Sequence, residues 1–525
     1  MNQPSLPTNM ALPFASVRTL LQRYRDRDPD KIALVDLDRA ASITYGELDE
    51  VVDRAARYLR DLGLGVGDKI ALLSEENLEK LILWLGIWRI GAVVCPLNVE
   101  INRTHIGEIL RNIEPALVLC HEDLDGAALS QGMECPSIRF SRWSPVHEEI
   151  SSSNEFFAEL AGQSGGAEVD HDNAPDDMAA IFCTSGTTSK PKCVVYNHLS
   201  YWLSGLSTLD MLGLTEDDRT LEYRSFGWNS AQVLSLMPWL ETGLTLHIAN
   251  RFSHSRFFEW IKQHEITFAA GVPTVVNMLL NEPLGITAKD VPSLRLMTCS
   301  TAPLSPDQWA KFERMYGVTL LQLYGMSEAG WICGNRHYRR RMGTVGPPAK
   351  HQDFRIVDGD GAPCPVGVEG EVTVGGPQTC LGTISPDGEF EDLSAARIST
   401  GDLAVMDDDG FVTVTGRTKD LIIRGGVNIA PLEIDNVLLS DPRVLEAAAI
   451  GVPDAIYGEE IACYVVVKPG EALSAEDVQR HCAGVLAEFK VPKEVHFIND
   501  LPKSDRGKIR RDDLKELWAR DNASS

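Results

Sequence analysis

From Thr44 onward the apolar residues alternate between helical and extended spacing. Thr44 and Glu47 form a capping box. Leu48, Val51, Val52, Ala55, Leu59 and Leu62 then recur at helical intervals, and Gly63 stops the run. "KIALLS" follows as a strand, a helix opens at Leu78, and "AVVCPL" is the next strand. Alternation of this kind predicts an α/β fold with a parallel sheet. The same short apolar runs return at "MAAIFCT", "TLEYRS", "LTLHIA" and "LRLMTCS".

The texture changes twice. From about Gly343, "FRIVD", "GEVTVGG", "LAVMD" and "FVTVTG" are short strands between Asp/Gly turns, which predicts a small antiparallel β-subdomain. After "TGRTKD" a separate α+β domain is expected. It has strands at "EAAAIGV" and "IACYVVVK" and a helix capped by Ser474 and Asp477. Val478, Cys482, Val485, Leu486 and Phe489 form that helix's expected buried face. The polar stretch Gly162 to Asp177 reads as a surface connection.

Composition narrows the class. The 525 residues exceed one core, so several domains are expected. A formal net charge of -26 argues against nucleic acid and anionic membranes as partners. The apolar run "LILWLGIWRIGAVVCPL" is interrupted by Arg89 and reads as a buried helix leading into a strand, not a membrane span. No basic segment followed by an apolar run opens the sequence, so no signal peptide is read. The 11 cysteines show no C-x-x-C and no zinc spacing, and scattered reduced thiols suit a cytoplasmic enzyme.

Candidate chemistry begins at "TSGTTSKPK", Thr184 to Lys192, where a strand runs into a loop of hydroxyls, one glycine and two lysines. All of these groups donate to phosphate oxygens. The spacing is not that of a Walker A loop, and a simple polar turn is equally compatible. "GLGVG" at Gly63 to Gly67 follows a helix and precedes a strand, the reverse of a dinucleotide fingerprint. "GMSEAG", Gly325 to Gly330, approaches a hydrolase elbow with Ala329 in place of the last glycine. The basic run Arg336 to Arg341 reads as a solvated face.

The order of motifs changes the reading. After "TSGTTSKPK" come "STAPLS", "LYGMSEAG", "STGDL", "GRTKDLIIRGGVNIAPLEID" and "PKSDRGKIRR". This succession resembles the adenylate-forming superfamily, in particular its AMP-dependent acyl-CoA synthetases, from about Val17 to Leu517. The resemblance implies a large N-terminal domain, residues 1–417, of α/β sheet subdomains with a small β-subdomain. A small mobile α+β C-terminal domain, residues 418–525, would follow. It implies ATP, Mg²⁺ and coenzyme A, an acyl-adenylate intermediate, and release of pyrophosphate and then AMP.

Roles follow by resemblance. Ser185, Gly186, Thr187, Thr188 and Lys192 would cradle the β- and γ-phosphates, and Ser300, Thr301, Ala302 and Pro303 would also contact the nucleotide. Ser189 and Cys193 stand where the family most often has glycine, which implies a stiffer loop. Glu328 would hold Mg²⁺ with Thr184, a hard-oxygen set. Tyr324 would lie against adenine beside Gly325, Met326 and Ser327. Asp402 would accept the ribose hydroxyls, and Arg417 would reach ribose or phosphate. Lys508 would stabilise charge between the acid and the α-phosphate. Lys419 would be the hinge, and Gly425 and Gly426 would pass the pantetheine arm of coenzyme A.

Trp228, Asn229, Gly271, Val272, Cys299, Ser300, Met326 and Trp331 fall in the family's acyl-specificity stretches. Gly227 follows Phe226 where amino-acid-activating relatives carry Asp, so an amino acid is disfavoured. Trp228 favours a flat or short acid, aromatic or short-chain. Coenzyme A is the expected acceptor, with a separate carrier protein as the alternative. A homodimer is left open, and no nucleic-acid or membrane partner is expected.

Overall fold

A computed structural model of the chain describes residues 13–99, 103–124, 135–143, 169, 171–184, 192–302, 304–503 and 508–523. Two eight-stranded sheets dominate the larger part. In the first, strands Thr319–Met326, Leu296–Cys299, Phe268–Ala269, Arg219–Glu222, Thr245–Ile248 and Ile32–Asp36 run parallel in that order. Gly330–Gly334 and Ala41–Thr44 close its edges antiparallel. In the second, Met178–Thr184, Val93–Leu97, Lys69–Leu73, Leu117–His121 and Ser137–Phe140 are parallel. Lys192–Asn197, Gly382–Ile384 and Phe390–Asp392 extend it antiparallel.

Helices fill the space against these sheets. Tyr45–Asp61 carries the expected box: the Thr44 hydroxyl accepts from Glu47 N and the Glu47 carboxylate accepts from Thr44 N. Every side chain of helix Leu78–Arg89 is buried, including Arg89, whose guanidinium donates to Asp49 at 2.6 Å. A charge is tolerated there because it is paired. Trp84, Trp88 and Trp239 sit fully buried in the same core.

Strands Arg355–Val357, Gly370–Val374, Ile398–Met406 and Val412–Arg417 form the small, wholly antiparallel sheet. The C-terminal domain is a five-stranded sheet built on the long hairpin Val444–Asp454 and Gly458–Val467, covered by helices Pro431–Ser440, Ala475–Ala483 and Arg511–Ala523. Its capping box, Ser474 with Asp477, is present.

Several expectations need correction. Helix Ala475–Ala483 ends before Val485, so Val485 and Phe489 leave the apolar stripe and are exposed, while Val478, Cys482 and Leu486 are buried. Arg336 is not on a solvated face: it is buried, paired with Asp210 at 3.0 Å, and donates to the carbonyls of Gly334, Pro347 and Pro348. Of the 162–177 connection, Asp172, Ala174 and Asp176 are exposed as expected, whereas Val169 and Asn173 are buried. Nor are all cysteines reduced. Cys183 and Cys193 are joined by a disulfide across the strands that flank the phosphate-type loop, while nine other cysteines are free.

Candidate active site

Four parallel strands of the first sheet end side by side, and their C-terminal ends lead into the candidate segments. Such ends form the natural crevice of a parallel sheet. The segments are tied to one another. Tyr223 OH donates to Ala270 O at 2.7 Å, Ser300 N to Gly271 O at 3.3 Å, and Gly271 N to Thr298 Oγ1 at 3.2 Å. A Cβ at Gly271 would stand 2.3 Å from Thr298 O, which explains glycine there. Thr301 has φ +75°, a conformation that costs a non-glycine residue about 1–3 kcal/mol and collects at functional sites. Beside it the Ser300 hydroxyl is fully buried and has no hydrogen-bond partner among the described residues.

Tyr324, Asp402 and Arg417 are brought together. Tyr324 OH donates to Asp402 Oδ2 and Arg417 Nε to Asp402 Oδ1, each at 2.6 Å. Burial, reinforced by the Asp402 charge, holds the Tyr324 hydroxyl far above its ordinary range, so it stays a donor. Burial opposes the Arg417 charge, but the Asp402 hydrogen bond and carboxylate outweigh it and raise its pKa. Asp402 keeps one lone pair on each oxygen, enough for a vicinal diol. Next to it a cavity of about 390 Å³ is lined by Thr400, Gly401, Arg417, Thr418 and Lys419.

The "GMSEAG" stretch lies in a strand–turn–strand hairpin, with Gly325 opposite Trp331 and Met326 opposite Gly330. A nucleophile elbow turns from strand into helix, so this is not one. Gly325 is required by contact, since a Cβ would meet Gly330 O at 2.3 Å. Met326 packs on the small β-subdomain, and Ser327 is half-buried.

Ser185, Gly186, Thr187, Thr188, Ser189 and Pro303 lie outside the described residues. The loop's flanks are described: Thr184 pairs in antiparallel register with Lys192. Glu328 and Lys192, far apart in sequence, both act on one buried thiol. Burial pushes Cys380 up to about 12, Glu328 adds to the rise and Lys192 opposes it, and Cys380 N donates to Glu328 O at 2.8 Å. Among the described residues no group of three His, Cys, Asp or Glu side chains forms a metal cluster. The donor set fits Mg²⁺ taken by one carboxylate, Glu328, together with phosphate oxygens.

Trp228 caps a short helix, Asn229–Ala231, which continues through a π-turn, Gln232–Leu236, into helix Met237–Thr242. Asn229 is buried and its Nδ2 has no partner among the described residues, as is true of Arg224 Nη1. Ala302 is half-buried, and Val272 caps helix Pro273–Asn281. Cys299 and Trp331 belong to the packed core: Cys299 is fully buried, and Trp331 Nε1 donates to Thr208 Oγ1 at 2.9 Å.

Sequence reasoning missed the framework of this segment. Glu222 accepts from Arg224 Nε at 2.8 Å and from Ser235 Oγ at 2.7 Å. Glu76 accepts from Ser225 Oγ at 2.7 Å, and Gln232 Nε2 donates to Phe226 O at 2.6 Å. The only sequence signal was the cluster of polar residues in an otherwise apolar stretch.

In the C-terminal domain, Gly425 and Gly426 form the two-residue turn of a hairpin, with Arg424 opposite Val427. Their φ values of +58° and +82° are those of a turn that favours glycine twice. Lys419 is exposed in a single 3₁₀ turn, Thr418–Asp420. Lys508 is exposed beside the bridge between Lys503 and Ile509.

Comparison with known proteins decides the family. Residues 21–382 match the family model "AMP-binding enzyme", and residues 433–508 match its C-terminal domain. The chain is an AMP-binding enzyme. An oxalate–CoA ligase of Arabidopsis thaliana is 30% identical to this AMP-binding enzyme over 500 residues, 94% of this chain and 96% of that protein. A sulfoacetate–CoA ligase of Cupriavidus necator is 31% identical over 503 residues, 95% and 97% of the two chains. The ATP-bound crystal structure of MatB from Rhodopseudomonas palustris superposes with a TM-score of 0.85 at 29% identity, covering 96% of this chain and 99% of that one. The AMP-binding enzyme is accordingly an ATP-dependent acid–CoA ligase that forms an acyl-adenylate, uses ATP, Mg²⁺ and coenzyme A, and takes a small carboxylic acid. Among the described residues no helix is long and apolar enough to cross a membrane.

Proposed function

We propose that this ligase activates a short carboxylic acid bearing a second oxygen-rich group and transfers it to coenzyme A from the site built around Asp402. The observation that carries the reading is the Tyr324–Asp402–Arg417 cluster, which ties Tyr324, on the strand beside the one leading into Ser300 and Thr301, to Asp402 and Arg417 of the small antiparallel sheet and the cavity next to them. Asp402 takes the ribose hydroxyls and Tyr324 flanks the base. Lys192 and the loop it closes take the β- and γ-phosphates. Glu328, with Thr184, would hold Mg²⁺, which would supply positive charge to the phosphates. Lys508 supplies a cation where the carboxylate oxygen attacks the α-phosphate and pyrophosphate leaves.

The second half-reaction needs that lysine gone and the thiol admitted. Residues 418–525 turn as a unit about Lys419, and the Gly425–Gly426 turn then borders the thiol's path. The coenzyme A sulfur attacks the acyl carbonyl, the carbon–oxygen bond to AMP breaks, and AMP departs with the electron pair. Nine free cysteines support a reducing, cytoplasmic setting.

For the acid, two buried donor atoms flank Trp228 in the sequence, Arg224 Nη1 and Asn229 Nδ2, and neither has a partner among the described residues. Leaving such donors unpaired costs about 1–3 kcal/mol each, which a substrate oxygen would recover. Two of the relatives act on oxalate and sulfoacetate, acids with a second anionic group. The test is a coenzyme A-dependent thioester assay on pairs of acids of equal length, one ending in carboxylate or sulfonate and one in methyl. The reading expects kcat/KM to favour the oxygen-rich member roughly tenfold or more, and Asn229→Leu to narrow the gap. Preference for the methyl-terminated member would overturn it.

A further inference from the structure

We infer that Cys183 and Cys193 form a thiol–disulfide modification site that sets the affinity of the ATP site. The two residues face each other in register on strands Met178–Thr184 and Lys192–Asn197 and are joined by a disulfide. The next pair outward is Thr184 and Lys192, and everything between them is the candidate phosphate loop. The cross-link is thus the last covalent tie before the loop. It is bonded directly to the two flanking residues that the proposed function assigns to Mg²⁺ and to phosphate. This inference rests on that assignment.

The position is otherwise well held. The Cys193 strand pairs on its other side with Gly382–Ile384, Ile384 opposite Cys193, and the Cys183 strand pairs with Val93–Leu97. Both cysteines lie in one apolar cluster with Cys95, Leu97, Ile181 and Val195. The sheet therefore needs no cross-link to keep its order. What the disulfide fixes is the spacing and twist of the final pair. The remaining nine cysteines are free. A single disulfide among free thiols, placed at a substrate loop, has the character of a redox-responsive bond.

The chemistry balances as exchange. The oxidised chain and a small dithiol give two protein thiols and a cyclic disulfide. In the reverse direction a low-molecular-weight disulfide takes the two electrons and leaves as two thiols. Cys183 and Cys193 are only 4% and 1% exposed, so exchange in the folded chain is slow, on the order of minutes to hours. With the bond closed, Thr184 and Lys192 are preorganised and ATP binds more tightly. With it open, the pair is free to fray, and ATP affinity falls by roughly three- to tenfold.

The experiment uses the full chain in two preparations, one without reductant and one incubated with dithiothreitol and then freed of it without air. Differential alkylation with mass spectrometry reads the state of Cys183 and Cys193. Calorimetric titration with ATP and Mg²⁺ needs no knowledge of the acid. The expected result is alkylation of both residues only after reduction, with weaker ATP binding in that state. In Cys193→Ser, ATP binding should match the reduced protein and no longer respond to dithiothreitol. Binding of ATP with one affinity in both states, or free thiols in the unreduced protein, overturns the redox site and leaves the acid–CoA ligase reading standing. Absence of ATP binding in either state overturns both.

Discussion

Asp402→Asn isolates the nucleotide cluster with little change of shape. Asp402 accepts from Tyr324 OH and Arg417 Nε at 2.6 Å each, and its remaining lone pairs are assigned to the ribose diol. In the variant one oxygen becomes an NH₂ group. That group faces a tyrosine or guanidinium donor and cannot accept from ribose. Hydrogen bonds to a charged partner contribute about 1.5–3 kcal/mol, against about 1 kcal/mol for neutral ones. Loss of one such bond to ribose should lower kcat/KM for ATP roughly 10- to 100-fold. KM for the acid and for coenzyme A should stay near wild type, because Trp228, Asn229 and the Gly425–Gly426 turn are elsewhere. Steady-state kinetics with each substrate varied in turn, alongside a thermal melt, separates the outcomes. A lowered Tm with unchanged KM for ATP would show that Asp402 only holds Tyr324 and Arg417 in place, and would refute its role in ribose recognition.

Other outcomes follow from the same site. Lys508→Ala should abolish adenylate formation yet spare thioester formation from synthetic acyl-adenylate; equal loss in both assays would make the residue structural. Lys419→Pro, which fixes φ near −65°, should retain adenylation and lose coenzyme A transfer, and unimpaired transfer would remove it as the hinge. Trp228→Ala should shift kcat/KM ratios toward bulkier acids while KM for ATP is little changed; an unchanged acid ranking with a lowered Tm would place Trp228 in the core. Burial draws His198 down to about 4, against the pull of Asp177. The unfolded chain then takes up that proton first, so stability is full above about pH 6.5 and falls as pH drops toward 4, by on the order of 3 kcal/mol. His198→Gln should flatten that part of a denaturation-versus-pH curve, and an unaltered slope would assign the loss to other groups.

What was legible in the sequence is what local physics fixes. Capping boxes at Thr44 and Ser474 mark helix starts because hydroxyl and carboxylate satisfy backbone donors within one turn. Helix–strand alternation implied a parallel sheet, and the Asp/Gly-punctuated strands implied the antiparallel subdomain. Phe489 was misread because helical spacing was carried past Gly484, where the chain had already turned. Arg336 was misread because its partners, Asp210 and three carbonyls, come from other parts of the chain. The Cys183–Cys193 bond was hidden for a related reason: it needs the two strands to pair antiparallel in one register, and ten residues of spacing state no such thing. The π-turn behind Asn229, and the anchoring of Ser225 by Glu76, are likewise tertiary facts. The grouping of Tyr324, Asp402 and Arg417 came from motif order, and only the fold shows that they touch.

The central claim is that an acid is first joined to AMP and then moved to a thiol. Pyrophosphate release measured over a set of short carboxylic acids, with and without coenzyme A, tests it most directly. Without coenzyme A, a productive acid should give a burst of about one pyrophosphate per chain and then stall, because the adenylate stays bound. With coenzyme A, release should become continuous and match AMP and acyl thioester mole for mole. Continuous pyrophosphate release that ignores coenzyme A and yields no thioester, or no AMP with any acid, would contradict the account.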